Sequence, residues 1–127
     1  MSWPWWPFAQ PSGPSGSPLL FHKQQKAAVG ATTESLAHDF GERAKLRMIS
    51  AYNATGIGTI HLYLRDTRHG QAVYVLLAAK QTNFAGEPIV FACPNELIVA
   101  NPNGVTAEFW NTTAGDDLHL NVMTERI

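Results

Sequence analysis

Catalysis or metal binding in this chain would have to begin with five histidines, one cysteine and ten acidic residues. A protein-held metal usually takes two imidazoles from one face, at i and i+2 of a strand or i and i+4 of a helix. His22, His38, His61, His69 and His119 show neither spacing. Arg65-Asp66-Thr-Arg68-His69 gathers acid and base groups, but it connects two strand-like runs and reads as a solvated loop. Asp116-Asp117 has the oxygens a calcium ion takes, and a plain acidic turn is the preferred reading. Cys93 lies in an apolar run with no partner base in sequence and reads as a small core residue. One cysteine leaves no disulfide framework and fits synthesis in a reducing cytoplasm. No nucleophile elbow, P-loop or dinucleotide fingerprint occurs. The chain therefore reads as a non-enzyme with no cofactor and no metal.

Binding chemistry is better represented. Trp3, Trp5, Trp6 and Phe8 crowd the tip of a segment that continues Ala9-Gln-Pro-Ser-Gly-Pro-Ser-Gly-Ser-Pro18. Proline and glycine at that density build neither helix nor interior strand, so residues 1–26 are expected to form an extended arm and linker. Solvated arms are poor in aromatics, yet three of the four tryptophans sit here. Tryptophan is enriched at the energetic centres of interfaces. Trp3, Trp5, Trp6 and Phe8, with the second apolar cluster Leu19, Leu20 and Phe21, are thus expected to anchor the chain to a partner. Folding back onto the chain's own domain is the bland alternative. Insertion at a membrane interface lacks an amphipathic helix to carry the rings. A second aromatic set, Tyr52, Tyr63, Tyr74 and Trp110, would suit stacking on sugar rings if its members share one exposed face.

These groups need a scaffold, and residues 27–127 supply one in strand-like runs. Ile60, Leu62 and Leu64 alternate with His61, Tyr63 and Arg65, as do Val105, Ala107 and Phe109 with Thr106, Glu108 and Trp110. Leu118, Leu120 and Val122 repeat the pattern. Leu46, Met48, Ser50 and Tyr52 alternate with Arg47, Ile49 and Ala51. Ala72 to Ala79 is apolar on both faces and is expected to be a buried central strand. His22 to Gly30 reads as a helical turn or further linker. Turn chemistry at Asn53-Ala-Thr-Gly56 and Asn101-Pro-Asn-Gly104 punctuates the runs. About eight short strands without a convincing helix predict an all-β fold, an antiparallel β-sandwich of jelly-roll type with an N-terminal arm.

Net charge is −1, which gives no reason to expect nucleic acid or an anionic membrane as partner. The charge is uneven. Positive residues dominate up to Lys80 and acidic ones after it, so the halves could complement each other between subunits or simply be solvated. No run approaches the length of a transmembrane helix, and the proline-broken start does not read as a signal peptide.

Residues 45–127 resemble a group of small bacteriophage virion proteins that decorate heads, form head-fibre bases or sit in necks and tails. Leu46-Arg-Met-Ile-Ser-Ala-Tyr-Asn-Ala-Thr-Gly56 is similar to the strand and Asn-x-Thr/Ser-Gly turn that open these domains. Asn83-Phe-Ala-Gly-Glu-Pro-Ile-Val-Phe91 is similar to their Ala-Gly-Glu/Asp lead-in to a strand. The run from Glu96 through Asn101-Pro-Asn-Gly104 to Thr106, with Leu118 to Ile127, resembles their terminal hairpin. The chain departs from the pattern at Asn95-Glu-Leu, where Gly-Asp is more usual. The resemblance implies a β-sandwich and a structural role in a virion. It also implies a symmetric homo-oligomer, with a trimer favoured, and other virion proteins as partners. It implies neither cofactor nor catalytic residue. A receptor- or carbohydrate-binding module is the alternative.

Overall fold

The computed structural model describes residues 19–67 and 70–127. Among these residues nine strands alternate with turns and no helix occurs. They are β1 (Leu19–Ala27), β2 (Thr33–Asp39), β3 (Ala44–Asn53), β4 (Thr59–Asp66), β5 (Val73–Gln81), β6 (Ile89–Ala92), the short β7 (Ile98–Val99), β8 (Gly104–Trp110) and β9 (Asp117–Arg126). Hydrogen bonding orders them into two antiparallel sheets. One runs β1-β9-β3-β6, with β7 also on β3; the other runs β2-β8-β4-β5. The chain changes sheet at most of its connections, which is the double-sheet jelly roll.

Period-two alternation builds the core between the sheets. Ile60 and Leu62 of β4, Val105, Ala107 and Phe109 of β8, and Leu118, Leu120 and Val122 of β9 are all buried there. Strand β3 does not keep the single phase that its sequence suggests. Met123 pairs with Met48 but Thr124 pairs with Leu46, so Arg47 is an extra residue in β3. This bulge reverses the alternation, and Leu46 lies inward together with Ile49 and Ala51.

Two expectations are corrected. Residues 19–27, read as the end of a linker, form β1, paired along its length with β9 from Ala27–Asp117 to Leu19–Glu125. The sandwich therefore includes residues 19–26. The inward side of β1 carries Leu20, His22, Gln24 and Lys26, so no apolar alternation marks it as a strand. Strand β5, read as central and buried, is an edge strand pairing only with β4, and Val73, Tyr74, Val75 and Leu76 are exposed. Its apolar character on both faces comes partly from a second bulge. Leu76 pairs with Tyr63 and Ala78 with Leu62, leaving Leu77 as the extra residue, packed on the core.

The connections 28–32, 54–58, 82–88 and 111–116 meet at one end of the sandwich, and two carboxylates fasten the first, second and last of them. Glu34 accepts from the amides of Val29 (2.9 Å), Gly30 (2.9 Å) and Ala31 (3.1 Å) and from the Thr112 hydroxyl (3.0 Å). Lys26 Nζ stands 3.4 Å from it. Burial pushes the Glu34 pKa up, but these hydrogen bonds outweigh it and hold the carboxyl at about 2. Asp116 accepts from Asn53 Nδ2 (3.0 Å), Thr55 Oγ1 (3.1 Å) and the Thr113 amide (2.9 Å). The Asn53 hydrogen bond leads in holding it below the usual carboxylate range. Asn53 Oδ1 in turn accepts the Thr55 and Gly56 amides, the side-chain turn read from Asn53-Ala-Thr-Gly56.

Candidate binding surfaces

Trp3, Trp5, Trp6 and Phe8 lie outside the described residues. The rest of the expected anchor, Leu19, Leu20 and Phe21, does lie within them, at the start of β1. Leu19 and Phe21 point outward from β1 and are 47% and 75% exposed. Leu20 points inward. Register places Phe21 beside Met123, Met123 beside Met48 and Met48 beside Ala92, a row crossing β1, β9, β3 and β6. Val90, exposed on β6, flanks the row one position on. Phe21, Met48 and Met123 line a shallow hollow of about 260 Å³ with Lys23 and Asn121 at its polar side. A partly exposed apolar stripe thus starts at Phe21 of the first described strand and crosses the sheet.

The inward side of the same strand opens into a cleft of about 310 Å³ between the β1 and β2 edges, lined by Leu20, His22, His38 and Phe40 among others. His22 and His38 stack with ring centroids 4.5 Å apart, and His22 Nε2 lies 3.1 Å from Thr124 Oγ1. Burial, then the neighbouring His22, hold the His38 pKa below the usual imidazole value. Sequence spacing could not find this pair, because a turn and a change of sheet separate its members.

The third surface is the outer face of the β2-β8-β4-β5 sheet. Tyr63, Tyr74 and Trp110, three of the four residues read as a stacking set, share it with His61. Tyr63 meets Tyr74 edge-on at 6.0 Å, and His61 lies 5.9 Å from Trp110 and 6.0 Å from Tyr63. Their hub is Glu108, which register sets between Ser35 and His61. Glu108 Oε1 accepts from Trp110 Nε1 (2.9 Å) and from the Tyr63 hydroxyl (3.4 Å). Burial and then Glu108 push the Tyr63 phenol up, so it stays a donor through the neutral range. Ser35, Tyr63, Tyr74, Thr106 and Glu108 line a cleft of about 420 Å³. At one end Arg65 crosses over Gly104 to pair with Asp39. A Cβ at Gly104 would come within 2.5 Å of both the Arg65 guanidinium and the His38 carbonyl oxygen. Tyr52 does not join this set. It stacks on His119 at 4.5 Å, on the outer side of the opposite sheet, where His119 Nε2 meets Asp117 at 3.0 Å.

Other groups are placed as follows. Cys93 is not a core residue: it follows β6, half-buried, with its thiol donating to the Asn95 carbonyl at 3.3 Å. Arg68 and His69 lie outside the described residues, and Arg65 is engaged by Asp39. Among the described residues no group of three or more His, Cys, Asp or Glu is placed to hold a metal ion. The basic and acidic halves of the sequence meet within the chain, through Lys45–Glu96 (3.2 Å), Lys80–Glu87 (2.9 Å) and the Arg47–Glu125 pair.

No protein-family model and no curated protein matches this chain. Solved structures with some likeness to it include the virus-like particle of extra small virus from the giant freshwater prawn Macrobrachium rosenbergii. That match has a TM-score of 0.45 at 12% identity, covering 96% of this chain and 86% of that one. The Drosophila NLP core, described for pentamer formation and histone binding, has a TM-score of 0.44 at 13% identity over 86% of this chain and 98% of its own. The CBM22–GH10 modules of a Clostridium thermocellum xylanase, complexed with xylohexaose, have a TM-score of 0.36 at 17% identity over 81% of this chain and 19% of theirs.

Proposed function

We propose that this chain is a structural subunit of a bacteriophage particle: a head decoration, fibre-base, neck or tail protein. In this reading it forms a symmetric homo-oligomer, with a trimer favoured, and fastens to other virion proteins through its arm. The observation that carries the proposal is the continuity of arm and sheet. Residues 1–18, rich in tryptophan and proline, lead straight into β1, where Leu19 and Phe21 open an apolar stripe that runs on through Met123 and Met48. Prolines restrict the free arm, so docking costs less conformational entropy. Burying three indoles and Phe8 would contribute on the order of several kcal/mol at ~25 cal/mol per Å², and many copies on one particle add avidity. The chain's described histidines and Cys93 lie on separate surfaces apart from the His22–His38 stack, which supports a non-enzymatic role.

Deletion of residues 1–18 tests this. The truncated protein is expected to fold and oligomerise, yet to be missing from purified particles. Normal incorporation would overturn the anchoring role.

A second reading, a receptor- or carbohydrate-binding module, is favoured by one observation: Tyr63, Tyr74 and Trp110 share an exposed sheet face around Glu108. The two readings are compatible, since β1, which follows residues 1–18, and this face belong to different sheets.

A further inference from the structure

The outer face of the β2-β8-β4-β5 sheet is more than a patch of exposed rings. Its cleft of about 420 Å³ falls within the range of small-molecule sites. Tyr74 forms one wall and is 54% exposed, yet its ring is fixed edge-on against Tyr63. The floor comes from β8, with Thr106 and Glu108 on the same face, and Ser35 stands across from Glu108 on β2. The Glu108 carboxylate is oriented before any ligand arrives, because Trp110 and Tyr63 both donate to Oε1. Oε2 has no partner among the described residues and remains an acceptor. Ser35 and Thr106 add two hydroxyls, each able to donate and accept.

A fixed aromatic wall beside an oriented carboxylate and two hydroxyls matches the two kinds of surface on a pyranose. The C–H face of the sugar packs on an aromatic ring, and its hydroxyls donate to a carboxylate and exchange hydrogen bonds with side-chain hydroxyls. The charge selects among sugars. Glu108 would repel a carboxylated or sulfated sugar, and the neighbouring cation, Arg65, is already engaged by Asp39. We infer that this cleft binds a neutral pyranose, with Tyr74 stacking on its apolar face and Glu108, Ser35 and Thr106 reading its hydroxyls. This rests on the carbohydrate-binding reading above and is independent of the arm.

The full-length protein should be screened on a glycan array carrying neutral, sialylated and sulfated glycans, with hits measured by calorimetry. Binding to neutral glycans is expected. Tyr74→Ala and Glu108→Gln are each expected to weaken it by about tenfold or more. Ser35→Lys, at an exposed position that would fill the cleft, should act likewise, and Phe84→Ala, on an exposed loop, should leave binding unchanged. Melting curves close to that of the parent establish that the variants are folded. Binding to acidic glycans alone would overturn the inference and leave the broader reading standing. Binding to no glycan would overturn both. Neutral-glycan affinity unaffected by Tyr74→Ala and Ser35→Lys would place the sugar elsewhere and overturn this site.

Discussion

Single residues at the loop end of the sandwich have a thermodynamic signature. Glu34 is buried and gathers three amides and a hydroxyl, and its carboxyl sits at about 2 against an ordinary 4.5. A carboxyl lowered by folding stabilises the native state above its unfolded pKa, and that contribution is lost as pH falls from 4.5 toward 2. Glu34→Gln is therefore expected to lower the melting temperature at pH 7 by about 5 °C or more. The gap between variant and parent should narrow steadily in melts taken from pH 4.5 downward. A constant gap across that range would mean that the charge on Glu34 is irrelevant and only its shape matters. None of this was legible from Thr33-Glu-Ser-Leu, where the glutamate occupies an inward strand position. Its partners come from turns that only the finished topology brings together.

At the scale of elements, alternation disclosed the strands with one clean apolar face. Ile60, Leu62 and Leu64 in β4 and Val105, Ala107 and Phe109 in β8 read correctly because both strands lie inside their sheet and none of their outward residues is aliphatic. Strand β1 was hidden because it is an edge whose inner side is polar: His22 lines a cleft, Gln24 meets His38 and Lys26 pairs with Glu34. Strand β5 misled for the opposite reason. A bulge turns Leu77 to the core while Tyr74 and Leu76 stay on the outer face, so the run looks buried when it is exposed. An apolar edge with one free row of backbone groups is a template for pairing with another chain. Leu76→Lys is accordingly expected to shift self-association toward smaller species in sedimentation velocity. The melting temperature should move by no more than about 2 °C, since the side chain is half exposed. Unchanged association would remove β5 from the list of contacts between copies.

For the whole molecule, ion pairs within the jelly roll settle much of its charge internally. Lys45–Glu96 and Arg47–Glu125 join the basic first half to the acidic second half within one chain. The proposed assembly therefore does not require complementary halves and would draw instead on apolar groups: the Phe21–Met123–Met48 stripe, the β5 edge and the tryptophans of residues 1–18. The tryptophan- and proline-rich composition of residues 1–18 is the most distinctive signal in the sequence, and the anchoring role proposed for it rests on the sequence alone. The aromatic outer face was half legible, since Tyr63 and Trp110 fall on outward registers while the position of Tyr74 depended on the bulge. The most direct test of the assembly role replaces Trp5 with a photoreactive amino acid and illuminates purified particles. The expected product is a covalent adduct between this chain and another virion protein, identified by mass spectrometry. Adducts confined within a single copy of the chain would contradict it.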